Sequence, residues 1–276
     1  MIKLIADSSA DVLSMKGVNF ASVPMSVRTD EREFLDDRRL NVSEMLDYMA
    51  AWQGRSGTAC PSPERWMNAF AGADELLVVT ITSGLSGTYG SAVAAREVYL
   101  QNHPEKKIHV FDTLSAGPEM RLLLEKLGRG VLAGKTFEQL VLEGNEYLKK
   151  TRLLCCLQSL HNFAQNGRVS KIAAKAVGLL GIRILAGASE AGTLELIEKC
   201  RGERRGLSAL LEKMIAEGYD GGRVRIGHAD GETPAQALRD MILARFPQAN
   251  SVLYPLRGLC SYYAEPGGVL VGFETG

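Results

Sequence analysis

Three polar loops hold the residues of this 276-residue chain best suited to gripping a small ligand. They are Asp7-Ser8-Ser9-Ala10-Asp11, Gly57-Thr58-Ala59-Cys60-Pro61-Ser62-Pro63, and Ile81-Thr82-Ser83-Gly84-Leu85-Ser86-Gly87-Thr88-Tyr89. The second and third lead into helical patterning. Hydroxyls beside the orphan N–H groups of a helix N-terminus form an oxyanion site, because the free donors and the helix dipole point the same way. A carboxylate or a phosphate fits such a place. The plain alternative is that Ser62, Ser86 and Thr88 only cap their helices. Two such loops with surplus hydroxyls favour a ligand.

Other chemistry finds less support. Gly84-Leu85-Ser86-Gly87 is not a nucleophile elbow, because its second glycine follows the serine directly. No P-loop occurs, and no dinucleotide-binding glycine pattern follows the first strand. Asp36 and Asp37 lie in the charged run DEREFLDDRR and read as a solvated loop. His228 closes the run RVRIGHA with no acid or nucleophile paired to it, which favours a structural role. The five cysteines contain no C-x-x-C pair, and no two of the four histidines stand at i, i+4. Cys155 and Cys156 read as small apolar fillers of a buried strand. No metal or other cofactor is expected.

These loops need elements to position them, and the hydropathy pattern supplies them. Ile2–Ala6, Phe20–Val27 (interrupted by Pro24), Glu75–Ile81 and Lys107–Asp112 read as strands, with helices over Val42–Trp52, Pro63–Phe70, Thr88–Leu100 and on to about Lys149. Strand, loop and helix in alternation predict an N-terminal three-layer α/β/α domain with a parallel sheet, residues 1–152. The rhythm then changes. Strands at Leu153–Leu157 and Gly181–Ala186 around a helical segment, and at Thr193–Cys200, Arg223–Ala229, Ser251–Leu256 and Gly268–Phe273, alternate with helices at Leu207–Ala216 and Pro234–Arg245. They predict a second α/β domain with a mixed sheet, residues 153–276.

Lys plus Arg and Asp plus Glu balance at 32 each, so no global field favours nucleic acid. No apolar run approaches the roughly 20 residues that span a bilayer. The start, MIKLIADSS, turns polar after five residues and reads as neither signal nor anchor, so a soluble, cytoplasmic protein is expected.

The loops resemble those of the DegV family, whose members bind fatty acids. Asp7–Asp11 looks like the family's D-S-[TS]-A-D opening, T-A-C-P-S-P at 58–63 its T-S-Q-P-S-P, and I-T-S-G-L-S-G-T-Y-G-S-A at 81–92 its I-S-S-x-L-S-G-T-Y-x-S-A. FDTLSAG at 111–117, LHNFAQNGRVS at 160–170 and EKCRGERR at 198–205 match further elements in the same order.

The resemblance implies two α/β domains with a long-chain fatty acid clasped between them and no catalytic residues. By that resemblance Thr58 and Ser83 hold the carboxylate, with Thr82, Gly84 and Ser62 nearby. The acid would be presented to a separate fatty acid kinase, and Arg201 in the basic segment would dock it. Neutral donors suit a head group lying beside an acyl chain, since a buried counter-charge there is costly. Tyr263 stands where the family carries a histidine near the ligand head, Glu265 replaces a glycine, and Ala59 and Cys60 replace a serine and a glutamine. Two other classes stay open on the residues: a binding protein for a small non-lipid carboxylate, and an enzyme using Ser83 or Ser86 with His228.

Overall fold

The computed structural model describes residues 1–169 and 181–276. Its first half runs β1 (Ile2–Asp7), β2 (Phe20–Val23), β3 (Ser26–Thr29), β4 (Glu33–Leu35), α1 (Val42–Ala51), β5 (Ser56–Ala59), α2 (Pro63–Phe70), β6 (Glu75–Thr80), α3 (Thr88–Asn102), β7 (Lys107–Asp112), α4 (Pro118–Leu132) and α5 (Phe137–Lys149). The second half runs β8 (Thr151–Leu157), α6 (His161–Gln165), β9 (Ile182–Ala188), β10 (Leu194–Arg201), α7 (Glu203–Ala216), β11 (Arg223–His228), α8 (Thr233–Arg245), β12 (Asn250–Pro255), α9 (Gly258–Ala264) and β13 (Val269–Glu274).

The apolar runs of the first half form a parallel sheet in the order β2-β1-β6-β7. Successive side chains of a strand point to opposite faces, and here both faces are covered, so the runs are apolar throughout. Leu77 and Val79 join Leu4, Ala6 and Phe111 beneath α4 and α5. Leu76 and Val78 join Ile5, Ile108 and Val110 beneath α2 and α3. That is the three-layer arrangement. Asn41 caps α1, its side chain accepting from Glu44 N at 3.2 Å.

Two readings of the sequence change. Gly57–Ala59 is not loop but part of β5, which pairs antiparallel with β3 (Val27 opposite Thr58) in a small sheet β4-β3-β5. Ser-Gly-Thr-Ala lacks the apolar alternation that marks a strand, and only the partner reveals it. Pro24 divides β2 from β3, since it has no N–H to continue a ladder. Asp36 is not solvated but 0 % exposed. Its two carboxylate oxygens accept from Gly258 N and Leu259 N, each at 3.0 Å, so it caps the start of α9. Its own N–H is tied to Met25 O at 2.9 Å.

The second half forms a mixed sheet, order β10-β9-β8-β13-β11-β12, in which β11 and β12 run parallel and the other neighbours antiparallel. Leu154, Cys156, Val224, Ile226, Val271 and Phe273 meet α7 and α8 on one face. Cys155, Leu157, Ile184 and Ala186 look the other way, toward α9. Of the helical segment expected after β8, α6 is the described part, and residues 170–180 lie outside the described residues.

Helix α4 joins the two sheets. A Cβ at Gly272 of β13 would lie 2.5 Å from Glu119 N, so only glycine lets the helix start seat on the strand. Arg225 of β11, 4 % exposed, meets both oxygens of Glu125 on α4, with Nε at 2.9 and 3.0 Å, and also reaches Asn250 O at 2.8 Å. Among the described residues no helix is long and apolar enough to cross a membrane.

Candidate functional site

Leu153, Cys155 and Leu157 stand two residues apart on one face of β8 and line a cavity between the two sheets, enclosing about 810 Å³ free of protein atoms, its mouth included. Phe163, Leu194, Leu259, Ala264, Leu270, Met25 and Ile81 add apolar wall. Cys155 and Cys260 contribute thiols that burial keeps neutral, Cys155 pushed up to about 12 and Cys260 well above its ordinary range. They act as small hydrophobes.

Polar groups gather toward one part of this wall. The Thr58 hydroxyl on β5 lies 2.9 Å from the Tyr263 hydroxyl on α9, and Tyr263 packs its ring against Phe163, centroids 4.8 Å apart. Burial raises the Tyr263 phenol above its ordinary range, so it stays protonated and able to donate. Gly167 takes φ +71, the left-handed conformation that ends α6, and Arg168 N–H closes the turn on Phe163 O at 2.8 Å. The Arg168 guanidinium is then steadied by Leu85 O (3.1 Å from Nε) and Asn166 O (2.5 Å from Nη1), its side-chain partners among the described residues. Ser86 lines the cavity next to Leu85 and exchanges a 2.8 Å bond with Thr88.

A second set of hydroxyls binds β5 to α6 and α9. Ser56 Oγ reaches Gln165 Oε1 and Tyr262 OH, each at 2.7 Å, and Asn166 Nδ2 donates to Tyr262 OH at 3.0 Å. Arg168 is the one charged side chain among the described residues lining the cavity. An apolar space with Arg168 and the hydroxyls of Thr58, Ser86 and Tyr263 on its wall matches a ligand that is oily along its length and anionic at one end.

The structure brings some of the expected residues together and leaves others outside. Thr58 and Tyr263 line the cavity. Thr82 also lines it, but its hydroxyl is engaged, donating to Gly192 O at 2.8 Å and accepting from Gly84 N at 3.0 Å. Ser83 is exposed and absent from the wall, with its N–H turned to Asp112 Oδ1 at 3.0 Å; Ser86 is the serine this loop contributes. Gly84 is a packing residue, since a Cβ there would lie 2.5 Å from Ala191 O. Ser62 is the exposed N-cap of α2 and makes no side-chain capping bond. Arg201 is exposed at the end of β10.

His228 sits half-buried at the end of β11 and does not line the cavity, so the geometry offers no pairing with Ser83 or Ser86 there. Glu265 points away, accepting from Asn162 N at 3.2 Å. The cation on the wall departs from the expectation of neutral donors alone. Arg168 was legible only as a letter of the NGRVS motif, because nothing local in sequence shows that α6 turns it toward an apolar space.

Comparisons with known proteins agree with this geometry. The sequence model described as "Uncharacterised protein, DegV family" matches residues 1–275. A DegV domain-containing protein of Streptococcus pneumoniae is 43 % identical over 276 residues, covering 99 % of this chain and 98 % of that protein. A crystal structure of a DegV family protein from Eubacterium eligens, loaded with heptadecanoic acid, is 46 % identical with a TM-score of 0.98, covering 100 % of both chains. The Streptococcus pneumoniae fatty acid kinase (Fak) B3 protein, loaded with linoleic acid, is 42 % identical with a TM-score of 0.97, covering 100 % of this chain and 99 % of that one.

Proposed function

The chain belongs to the DegV family, and from that premise we propose that it binds a long-chain fatty acid in the cavity and presents the carboxylate to a partner kinase. The lobes that clasp the acid are residues 1–152 and 153–276. The head group sits among Thr58, Ser86, Arg168 and Tyr263, and the tail lies along Leu157, Cys155 and Leu153 of β8. The observation that carries this reading is the pairing of Arg168, the one charged side chain among the described residues on the wall, with hydroxyls in a largely apolar space. The two lipid-loaded relatives support it, one with heptadecanoic acid and one with linoleic acid.

The division of labour follows from energetics. Each buried methylene contributes about 0.8 kcal/mol, so the tail supplies most of the affinity. The charge-assisted bond from Arg168 and the neutral hydroxyls orient the head. The rim beside it is exposed at Cys60, Ser83 and Gly87, which suits handing a carboxylate oxygen to a phosphoryl donor held by another protein. Arg201 remains the proposed docking residue for that cytoplasmic partner, with Arg204 and Arg205 exposed beside it. The role is that of a carrier, with no catalytic residue of its own.

Native mass spectrometry of the protein as purified tests the reading. A bound long-chain acid is expected, released on denaturation and reduced in Thr58→Val and Arg168→Met proteins that remain folded. Recovery of a short polar acid, or of no ligand from protein expressed with fatty acid supplied, would overturn it.

A further inference from the structure

The apolar cavity abuts a second space of mixed, partly charged lining. A cleft of about 1000 Å³, open to solvent, is lined by Thr113, Glu119, Lys149, Thr151 and Arg152, together with two residues that also line the cavity, Leu153 and Ala188. These two stand side by side. The β8–β9 register sets Leu154 opposite Gly187 and Cys155 opposite Ala186, so Leu153 falls opposite Ala188 with both side chains on the cavity face. Cys155, Leu157, Ile184 and Ala186 farther along the same face are buried, whereas Leu153 and Ala188 are only half-buried. The ladder therefore passes from dry to wet at this pair.

The pair lies at the opposite end of β8 from the chain that carries Arg168. Leu157 leads into α6 and Arg168, while Leu153 is four residues back along the strand, roughly 13 Å at strand spacing. The groups behind Leu153 are committed elsewhere. Ser115, which also lines the cavity, donates to Glu119 Oε2 at 2.5 Å, and Thr151 donates to Glu119 Oε1 at 2.7 Å. Past the pair the lining turns mixed and open to solvent, with Leu114 and Leu148 standing among Asp112, Glu119, Lys149, Arg152 and Glu190, so a longer chain would lose the dry wall.

Resting on the fatty-acid reading above, we propose that Leu153 and Ala188 form the wall at which the methyl end of the bound chain stops, and so set the acyl length the protein selects. A chain one or two methylenes too long has to push Leu153 aside or emerge among Glu119, Lys149 and Arg152. Chains up to the wall gain about fourfold in affinity per methylene, and chains beyond it gain nothing.

The two residues can be changed in opposite senses. Leu153→Ala removes the larger half of the wall and is expected to shift the acids recovered from the purified protein toward longer chains by two or three carbons. Ala188→Leu thickens the wall and is expected to shift them toward shorter chains. A general loss of stability cannot move the two distributions in opposite directions. Both are measured by mass spectrometry of acids extracted after loading with one mixture of graded chain length, beside the unaltered protein. Unaltered protein that takes up no acid sinks both readings. Unaltered protein that does, with folded variants keeping its length distribution, overturns the wall alone.

Discussion

The Thr58 hydroxyl meets the Tyr263 hydroxyl at 2.9 Å across 205 residues of sequence. The contact ties β5 of the small sheet to α9, and it sits where the cavity wall turns polar. Either oxygen can donate, so an arriving carboxylate can take one of the two protons while the pair stays bonded. Tyr263→Phe is therefore expected to weaken fatty-acid binding about threefold to tenfold, as loss of a neutral hydrogen bond does. Thr58→Val should behave alike, and the double change should cost less than the product of the two. Titration with a fluorescent fatty acid checks this; fully independent effects would place the hydroxyls in separate roles.

Arg168 should matter more than either hydroxyl. Bonds to a charged group are worth about 1.5–3 kcal/mol, so Arg168→Met is expected to lower affinity by roughly one to two orders of magnitude. A primary alcohol of equal chain length should bind the variant and the unaltered protein alike. Equal losses for acid and alcohol would make the residue a packing element.

The serines of the third loop should separate cleanly. Ser83 is exposed and away from the wall, while Ser86 lines it. Ser83→Ala is expected to leave acid binding within twofold, and Ser86→Ala to reduce it severalfold. Calorimetric titration decides between them, and the reverse order would move the head group outward toward Asp112.

Stability should fall as pH rises from about 4 to about 8. Burial raises Asp7 to about 6 and Asp11 to about 8, while both titrate near 4 in the unfolded chain. Across that window the folded protein holds protons that the unfolded chain has released, so rising pH favours unfolding until both groups are ionised. Asp11 accepts from Arg257 N at 2.7 Å, a bond that an amide oxygen can keep. Asp11→Asn is therefore expected to flatten the pH dependence of the melting midpoint between about 6 and 8. An unchanged slope in the variant would remove Asp11 as its source.

Gly192 should resist substitution. Its φ of +71 is left-handed, and a Cβ there would lie 2.0 Å from Thr82 Oγ1. Gly192→Ala is expected to cost about 1–3 kcal/mol in thermal unfolding and to loosen the β9–β10 turn from the Thr82 loop, speeding release of bound acid. A variant with unchanged melting and release would show that the turn shifts without strain.

Much of the architecture was written in local pattern. LLVV at 76–79 is apolar at every residue because both faces of its strand are covered, and such runs separated by amphipathic helices pack as a layered sheet. Pro63 at the head of α2 and Asn41 as the cap of α1 follow from the chemistry of single residues. The order of the loop motifs was likewise enough to place the chain beside the fatty-acid binders.

Which residues face the cavity depended on pairings that no local pattern carries. β5 exists because Val27 lies opposite Thr58, and Asp36 is buried because α9, more than two hundred residues later, turns its N–H groups onto it. Ser83 and Ser86 are equivalent letters in one loop, yet the contact of Gly84 with Ala191 leaves one in solvent and the other on the wall. Periodicity reports which side of an element is apolar. The partner that covers it, and hence the shape of the space between them, is a property of distant chain segments meeting.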